Sequence, residues 1–122
     1  MSKIILSIHP RFVDKIISGE KRYEFRKVKA KLPPEKIFIY STSPVSQVIG
    51  EAEVENILID TPENLWKITS VYSGIDKAFY QNYYKNKQEA IAYQLKNVIV
   101  YPEPKELKEY GINTAPQSFI YV

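Results

Sequence analysis

No cysteine occurs in the 122 residues, so the chain has neither a disulfide framework nor a thiol nucleophile. Histidine is nearly as scarce: His9 stands alone, and a zinc site would have to be built from carboxylates or shared with another chain. A hard-cation site on acidic residues stays open but has no motif behind it, and neither a metal nor a cofactor is expected. No apolar run approaches the length needed to cross a bilayer, which excludes membrane insertion by a helix. The start Met1-Ser-Lys-Ile-Ile-Leu-Ser-Ile8 lacks the long apolar core and small-residue cleavage site of a signal peptide, so a cytoplasmic protein is expected. Internal repeats, low-complexity tracts and linkers are missing too, and 122 residues suit one domain over 1–122. Nothing in the sequence sets an oligomeric state.

What is present is an ordinary folding composition, 44% hydrophobic and 25% charged, with a formal charge of +3 and a pI near 9.0. That balance leans toward polyanionic partners. Its asymmetry says more. Lys15, Lys21, Arg22, Arg26, Lys27, Lys29, Lys31 and Lys36 concentrate positive charge between the first helix and the third strand, whereas Glu51, Glu53 and Glu55 form a later acidic stripe expected to face water.

The stretch Gly19-Glu-Lys-Arg-Tyr-Glu-Phe-Arg26 crowds five formal charges and two aromatics. Before it, Phe12, Val13, Ile16 and Ile17 recur at helical spacing from Pro10 to Ser18, and Gly19 supplies the permissive backbone that ends a helix. After it, Tyr23 and Phe25 fall on one face of a strand and Arg22, Glu24 and Arg26 on the other, with Lys21 at the junction. Two readings of the charged face compete. One is a solvated edge whose charges neutralise one another. The other is a cationic cleft holding one carboxylate, in which Lys21 and Arg26 suit phosphate or carbonyl oxygens and Glu24 accepts from a base edge or acts as general base.

In chain order, Lys3 to Ile8 reads as a first strand, with Pro10 in the first turn of the helix and His9 at the joint, a structural residue or a site candidate. Lys36 to Tyr40 resumes as a strand after Pro33-Pro34. It ends in Ser41-Thr42-Ser43-Pro44, either a plain hydroxyl-rich turn or a place to hold a phosphate or base. Gln47 to Ile59 predicts a long strand bent at Gly50. Thr61-Pro62 opens a helix whose buried side is expected to carry Leu65, Ile68 and Trp66. A further helix from Asp76 to Tyr84 has two aromatic stripes, Phe79/Tyr83 and Tyr80/Tyr84; these are core, or the tyrosines of the second stack on unpaired bases. Glu89 to Tyr101 predicts a strand with an irregularity at Lys96-Asn97, ended by Pro102-Glu-Pro104; a short helix closed by Gly111 and a strand over Ser118 to Val122 follow. Six strands and mixed helices suit an α+β fold, a small closed or nearly closed β-barrel with helices packed around it.

Gly19-x-Lys21-x-x-Glu24-x-Arg26 resembles the G-x-K-x-x-E-x-R signature of the ASCH domain, a branch of the PUA-like β-barrels. Leu6-Ser-Ile-His-Pro10, Tyr40-Ser-Thr-Ser-Pro44 and Ser73-Gly-Ile75 are similar to segments of its small prokaryotic and phage members, so the resemblance runs nearly end to end. It implies a barrel with a cleft beside the first helix, lined by Lys21, Glu24 and Arg26, and an association with RNA or modified nucleobases. The leading expectation is therefore an RNA- or nucleobase-binding domain, with His9, Ser41, Thr42 and Ser43 as further binding candidates. The alternatives are a metal-independent ribonuclease with Lys21 and Glu24 catalytic in the same cleft, a regulator binding a small nucleotide, and an amidohydrolase acting on acetylated cytidine. The last branch carries threonine, its nucleophile, where this chain has Glu24, and a carboxylate does not replace a hydroxyl in acyl transfer.

Overall fold

The computed structural model describes residues 2–122. The elements run β1 (Lys3–Ile8), α1 (Pro10–Ser18), β2 (Tyr23–Arg26), β3 (Lys36–Ser41), β4 (Gln47–Asp60), α2 (Pro62–Thr69), α3 (Lys77–Tyr83), β5 (Ala90–Lys105) and β6 (Phe119–Tyr121). Short 3-10 turns fill Ser70–Tyr72 and Leu107–Tyr110. The strands form one sheet in the order β2-β5-β4-β3-β1-β6, parallel only at β1/β3 and curled into a half-barrel, as the α+β, near-closed expectation required.

Bulges supply the curl. The β4/β5 register shifts three times, between Val48 and Gly50, Glu51 and Glu53, and Val54 and Asn56. Each extra residue locally increases the right-handed twist. Gly50 sits where a side chain would run into the Ile99 carbonyl oxygen, which is why the bend falls on a glycine. Asn97 takes a left-handed conformation at the irregularity expected there.

The inner face of the curl packs Ile4, Leu6, Ile8, Ile37, Ile39, Ile91 and Tyr93, and α1 closes over it with Val13 and Ile16. Fully burying each such aliphatic side chain contributes about 1.5–3 kcal/mol. A second cluster lies on the outer face, where Leu65 of α2, Tyr80 of α3 and Tyr84 at its C-cap cover Phe25, Ala90 and Ala92. A third joins Ile5, Tyr40 and Val48 to Leu107, Tyr110 and Ile112.

Three local expectations are corrected. Ile68 is 58% exposed, and Thr69 takes the buried position one turn after Leu65, its hydroxyl satisfied by the Leu65 carbonyl at 2.8 Å. β5 does not stop before Pro102 but continues to Lys105. Its register jumps from Gly50↔Val100 to Val48↔Lys105, so Pro102 and Pro104 lie where no ladder N–H is required. Glu51 and Glu53 do not simply face water. Glu51 pairs with Lys36 at 2.7 Å and accepts from the Tyr101 hydroxyl at 2.8 Å, and Glu53 accepts from Asn97.

Candidate functional site

β2 is an edge of the sheet, paired antiparallel to β5 with Glu24 opposite Tyr93 and Arg26 opposite Ile91. Cross-strand partners point the same way, so Glu24 and Arg26 share the inner face with Tyr93 and Ile91, while Phe25 points outward with Ala92. The charged face therefore turns toward the open seam of the curl, not toward bulk solvent. Glu24 is 6% exposed and Lys21 3%, which rules out the solvated-edge reading of this face.

Arg26 crosses the seam. Its Nη2 donates to Glu24 Oε2 at 2.7 Å and to the Ser7 carbonyl of β1 at 2.9 Å, and its Nη1 donates to Ser118 Oγ at 3.3 Å. One guanidinium thus ties the β2 edge to β1 and to the segment leading into β6. Its Nε is buried with no hydrogen-bond partner among the described residues.

Lys21 enters from the helix–strand junction. Gly19 takes the left-handed conformation that ends α1, and the Lys21 N–H then donates back to the Lys15 carbonyl at 3.0 Å. The ammonium donates to the Ser73 carbonyl at 2.8 Å, stands 3.7 Å from Glu24 Oε1 and 4.8 Å from the Phe25 ring centroid. Burial pushes its pKa below the ordinary lysine value; Glu24 opposes that shift and the nearby Arg26 charge reinforces it.

The Ser73–Gly74 loop is shaped for this contact. The Ser73 hydroxyl lies 3.0 Å from the Ser70 carbonyl and 2.9 Å from that of Ile75, and Lys15 Nζ donates to the Gly74 carbonyl at 3.1 Å. Gly74 has φ +70°, and a Cβ there would sit 2.7 Å from Lys21 Cγ.

Lys21, Glu24 and Arg26 line a cleft of about 170 Å³ together with Ser7, His9, Phe12, Ile75, Phe79 and Tyr83. Four of the expected site residues, His9, Lys21, Glu24 and Arg26, are brought together. His9 is the exposed N-cap of α1, its Nδ1 accepting from the Arg11 N–H at 3.2 Å. Ser41, Thr42 and Ser43 do not line the cleft. Ser41 is buried opposite Ile8 in the β1/β3 ladder, the Thr42 N–H donates to the Ile8 carbonyl at 3.1 Å, and Ser43 is exposed in the turn.

Of the two aromatic stripes of α3, Phe79 and Tyr83 border the cleft, whereas Tyr80 and Tyr84 are 2% and 3% exposed. The tyrosines offered for base stacking are thus core residues, and the aromatic rings that border the cleft belong to the other stripe. Phe12, Ser7, Ile75 and the Ser73–Gly74 clamp were missed as site residues. Phe12 packs partly against the core as well as lining the cleft, so its helical spacing reads as core alone, and nothing in the sequence signals the Ser7 carbonyl as an arginine acceptor.

The family model of the ASCH domain matches residues 6–105. The chain belongs to the ASCH domain family. The ASCH domain-containing ribonuclease of Zymomonas mobilis is 33% identical over 95 residues, 76% of this chain and 64% of that protein. From Ureaplasma parvum, the ribosomal protein uL22 is 34% identical over 87 residues and ATP synthase subunit alpha 32% identical over 122. The chain spans only 28% and 15% of those two proteins, so the likeness there is to a segment of a longer chain. Among solved structures, the ASCH protein of Zymomonas mobilis superposes with a TM-score of 0.88 at 28% identity, covering 98% of this chain and 87% of that one. A Tyr→Phe variant of the same protein gives 0.88 at 27%, covering 100% and 91%.

Proposed function

We propose that this ASCH domain binds single-stranded RNA, seating a base or its adjoining phosphate in the Lys21 cleft. The carrying observation is the convergence of two cations and one carboxylate at the seam, walled by Phe12, Phe79 and Tyr83. The aromatic walls suit a flat base, Arg26 and Lys21 suit phosphate or carbonyl oxygen, and the lone pairs Glu24 keeps free suit a base amino group. His9 belongs to the rim; Thr42 and Ser43 enter this reading only as outer contacts one strand away. The ribonuclease relative supports RNA over other polyanions.

Cleavage is the second reading, favoured by the depressed pKa of Lys21 and by the ribonuclease relative. Glu24 is poorly suited to be the base, because Arg26 holds one oxygen and Lys21 stands by the other. A neutral Lys21 would instead take the 2′-hydroxyl proton. The 2′-oxygen then attacks the adjacent phosphorus, giving a 2′,3′-cyclic phosphate, and the departing 5′-oxygen takes a proton from water while Arg26 offsets the charge gained. Acyl transfer on acetylated cytidine has less support, since Glu24 holds the nucleophile's position and the Thr42 hydroxyl lies outside the cleft.

Lys21→Met tests both readings. It keeps the aliphatic stem and leaves Glu24 paired with Arg26, so the fold should hold. Retention of short labelled RNA should drop at least tenfold, and if the wild type yields cyclic-phosphate ends, these should vanish. Failure of the wild type to retain any RNA at low salt would overturn the binding reading. Undiminished cleavage by Lys21→Met would overturn the catalytic one.

A further inference from the structure

A second, larger cavity of about 670 Å³ opens between α2 and α3, bounded by Trp66, Lys67, Lys77, Tyr80, Lys85 and Lys87. Its size falls within the about 300–1,000 Å³ of small-ligand sites. α3 is the wall it shares with the cleft: Phe79 and Tyr83 line one side, Tyr80 and Tyr84 the other. The four lysines are exposed, and among the described residues none enters an ion pair; Glu63 is the one carboxylate on the wall. The half-buried Trp66 ring is backed by Tyr80 at 4.6 Å between centroids. A rigid aromatic surface beside unneutralised ammonium groups is the chemistry that holds a single strand without reading its sequence.

The two cavities are joined by charge around the C-terminal end of α3. Lys27, just past β2, places its ammonium 4.5 Å from the Tyr83 ring centroid, and the Tyr84 hydroxyl donates to the Arg26 carbonyl at 2.9 Å. Lys85 and Lys87 follow directly in the chain. A strand leaving the cleft at Arg26 would meet Lys27, then Lys85 and Lys87, and reach Trp66, with Glu63 the one carboxylate on the groove wall. We propose that the α2/α3 groove is a second subsite for single-stranded RNA, in which a base stacks on Trp66 and the lysines take the flanking phosphates. This rests on the RNA-binding reading of the cleft and extends it to a footprint of several nucleotides.

Trp66 is the chain's single tryptophan, so intrinsic fluorescence reports on this groove and not on the cleft. The probes are oligouridylates of two and ten nucleotides, with uridine monophosphate and inorganic phosphate as controls. The ten-mer should quench Trp66 and the dimer should not, although both bind. Replacing Lys67 and Lys85 together by alanine should lower the ten-mer's log Kd against log salt slope by about 1.4, or about 0.7 for each phosphate left without its lysine, with the dimer unaffected. Trp66→Phe should keep much of the packing while weakening the ten-mer and leaving the dimer unchanged. Ten-mer binding with silent Trp66 and an unaltered salt slope in the double variant would overturn the second subsite while the cleft reading stands. Equal quenching by uridine monophosphate would overturn the continuous track in favour of a free-nucleotide site. If no oligonucleotide binds, the cleft reading itself fails.

Discussion

Gly74→Ala probes the clamp that holds Lys21 in the cleft. Gly74 sits at φ +70°, where an L-residue costs about 1–2 kcal/mol relative to glycine. The new methyl would lie 2.7 Å from Lys21 Cγ and 2.9 Å from Cδ. Those are stem atoms of a side chain fixed at its tip by the Ser73 carbonyl, so they cannot swing away cheaply, and such overpacking costs about 1–3 kcal/mol. The sum is about 2–5 kcal/mol, a large part of the roughly 5–15 kcal/mol of a typical domain. Gly111→Ala is the matched control: its φ is +76°, but nothing lies within 4 Å of the added carbon, so only the conformational cost remains. In urea unfolding, Gly74→Ala should lower the midpoint by about 1–2 M at constant slope and Gly111→Ala by about half as much or less. RNA retention at low denaturant should fall for Gly74→Ala alone. Equal midpoints for the two variants would refute the clamp.

Arg26→Met should destabilise by about 3 kcal/mol in urea because it takes from the buried Glu24 its 2.7 Å partner, leaving only the Lys21 ammonium at 3.7 Å, and opens the seam to Ser7 and Ser118, whereas Lys21→Met should be nearly neutral; the reverse ranking would move the structural role to Lys21. Stability should fall above about pH 10. Burial raises Tyr80 to about 12 and raises Tyr83, Tyr84, Tyr93 and Tyr101 as well, so the unfolded chain loses these protons first and stability present below the ordinary tyrosine value of 10.0 is lost as pH climbs through the folded values. Lys21, whose pKa is lowered, acts in the opposite sense below 10.5, and a thermal-melt series across about pH 8–12 in the wild type and Lys21→Met should separate the two. Hydrogen bonds from Lys36 and Tyr101 hold Glu51 below its usual pKa of 4.5, so Glu51→Gln should cost about 1 kcal/mol at about pH 7 and flatten the loss of stability as pH falls through the carboxylate range; an unchanged acid profile would dismiss the triad.

The signature stretch was legible because its information is local. The alternation Tyr23-Glu24-Phe25-Arg26 needs only a period of two, and Gly19 only the ending of a helix. Long-range geometry was not legible. Arg26 reaches Ser7 and Ser118, 19 and 92 positions away, and only the curl of the sheet makes those neighbours. The aromatic stripes of α3 were found by spacing, but spacing alone does not say which stripe faces the sheet. Here the outward Phe25 takes Tyr80 and Tyr84 into the core and leaves Phe79 and Tyr83 for the cleft. Pro102 and Pro104 misled for a related reason. Their effect on a strand depends on whether the ladder needs their N–H groups, and a register jump in β5 removes that need.

Amide chemical shifts followed by NMR as a short oligouridylate is titrated in at low salt test the central claim most directly. The account predicts that the largest changes gather at Ser7–Phe12, Lys21–Arg26 and Ile75–Tyr83, and that they disappear in Lys21→Met. Changes confined to the Ser41–Ser46 turn or to the β4/β5 strand pair, with the Lys21–Arg26 amides unmoved at saturation, would contradict it.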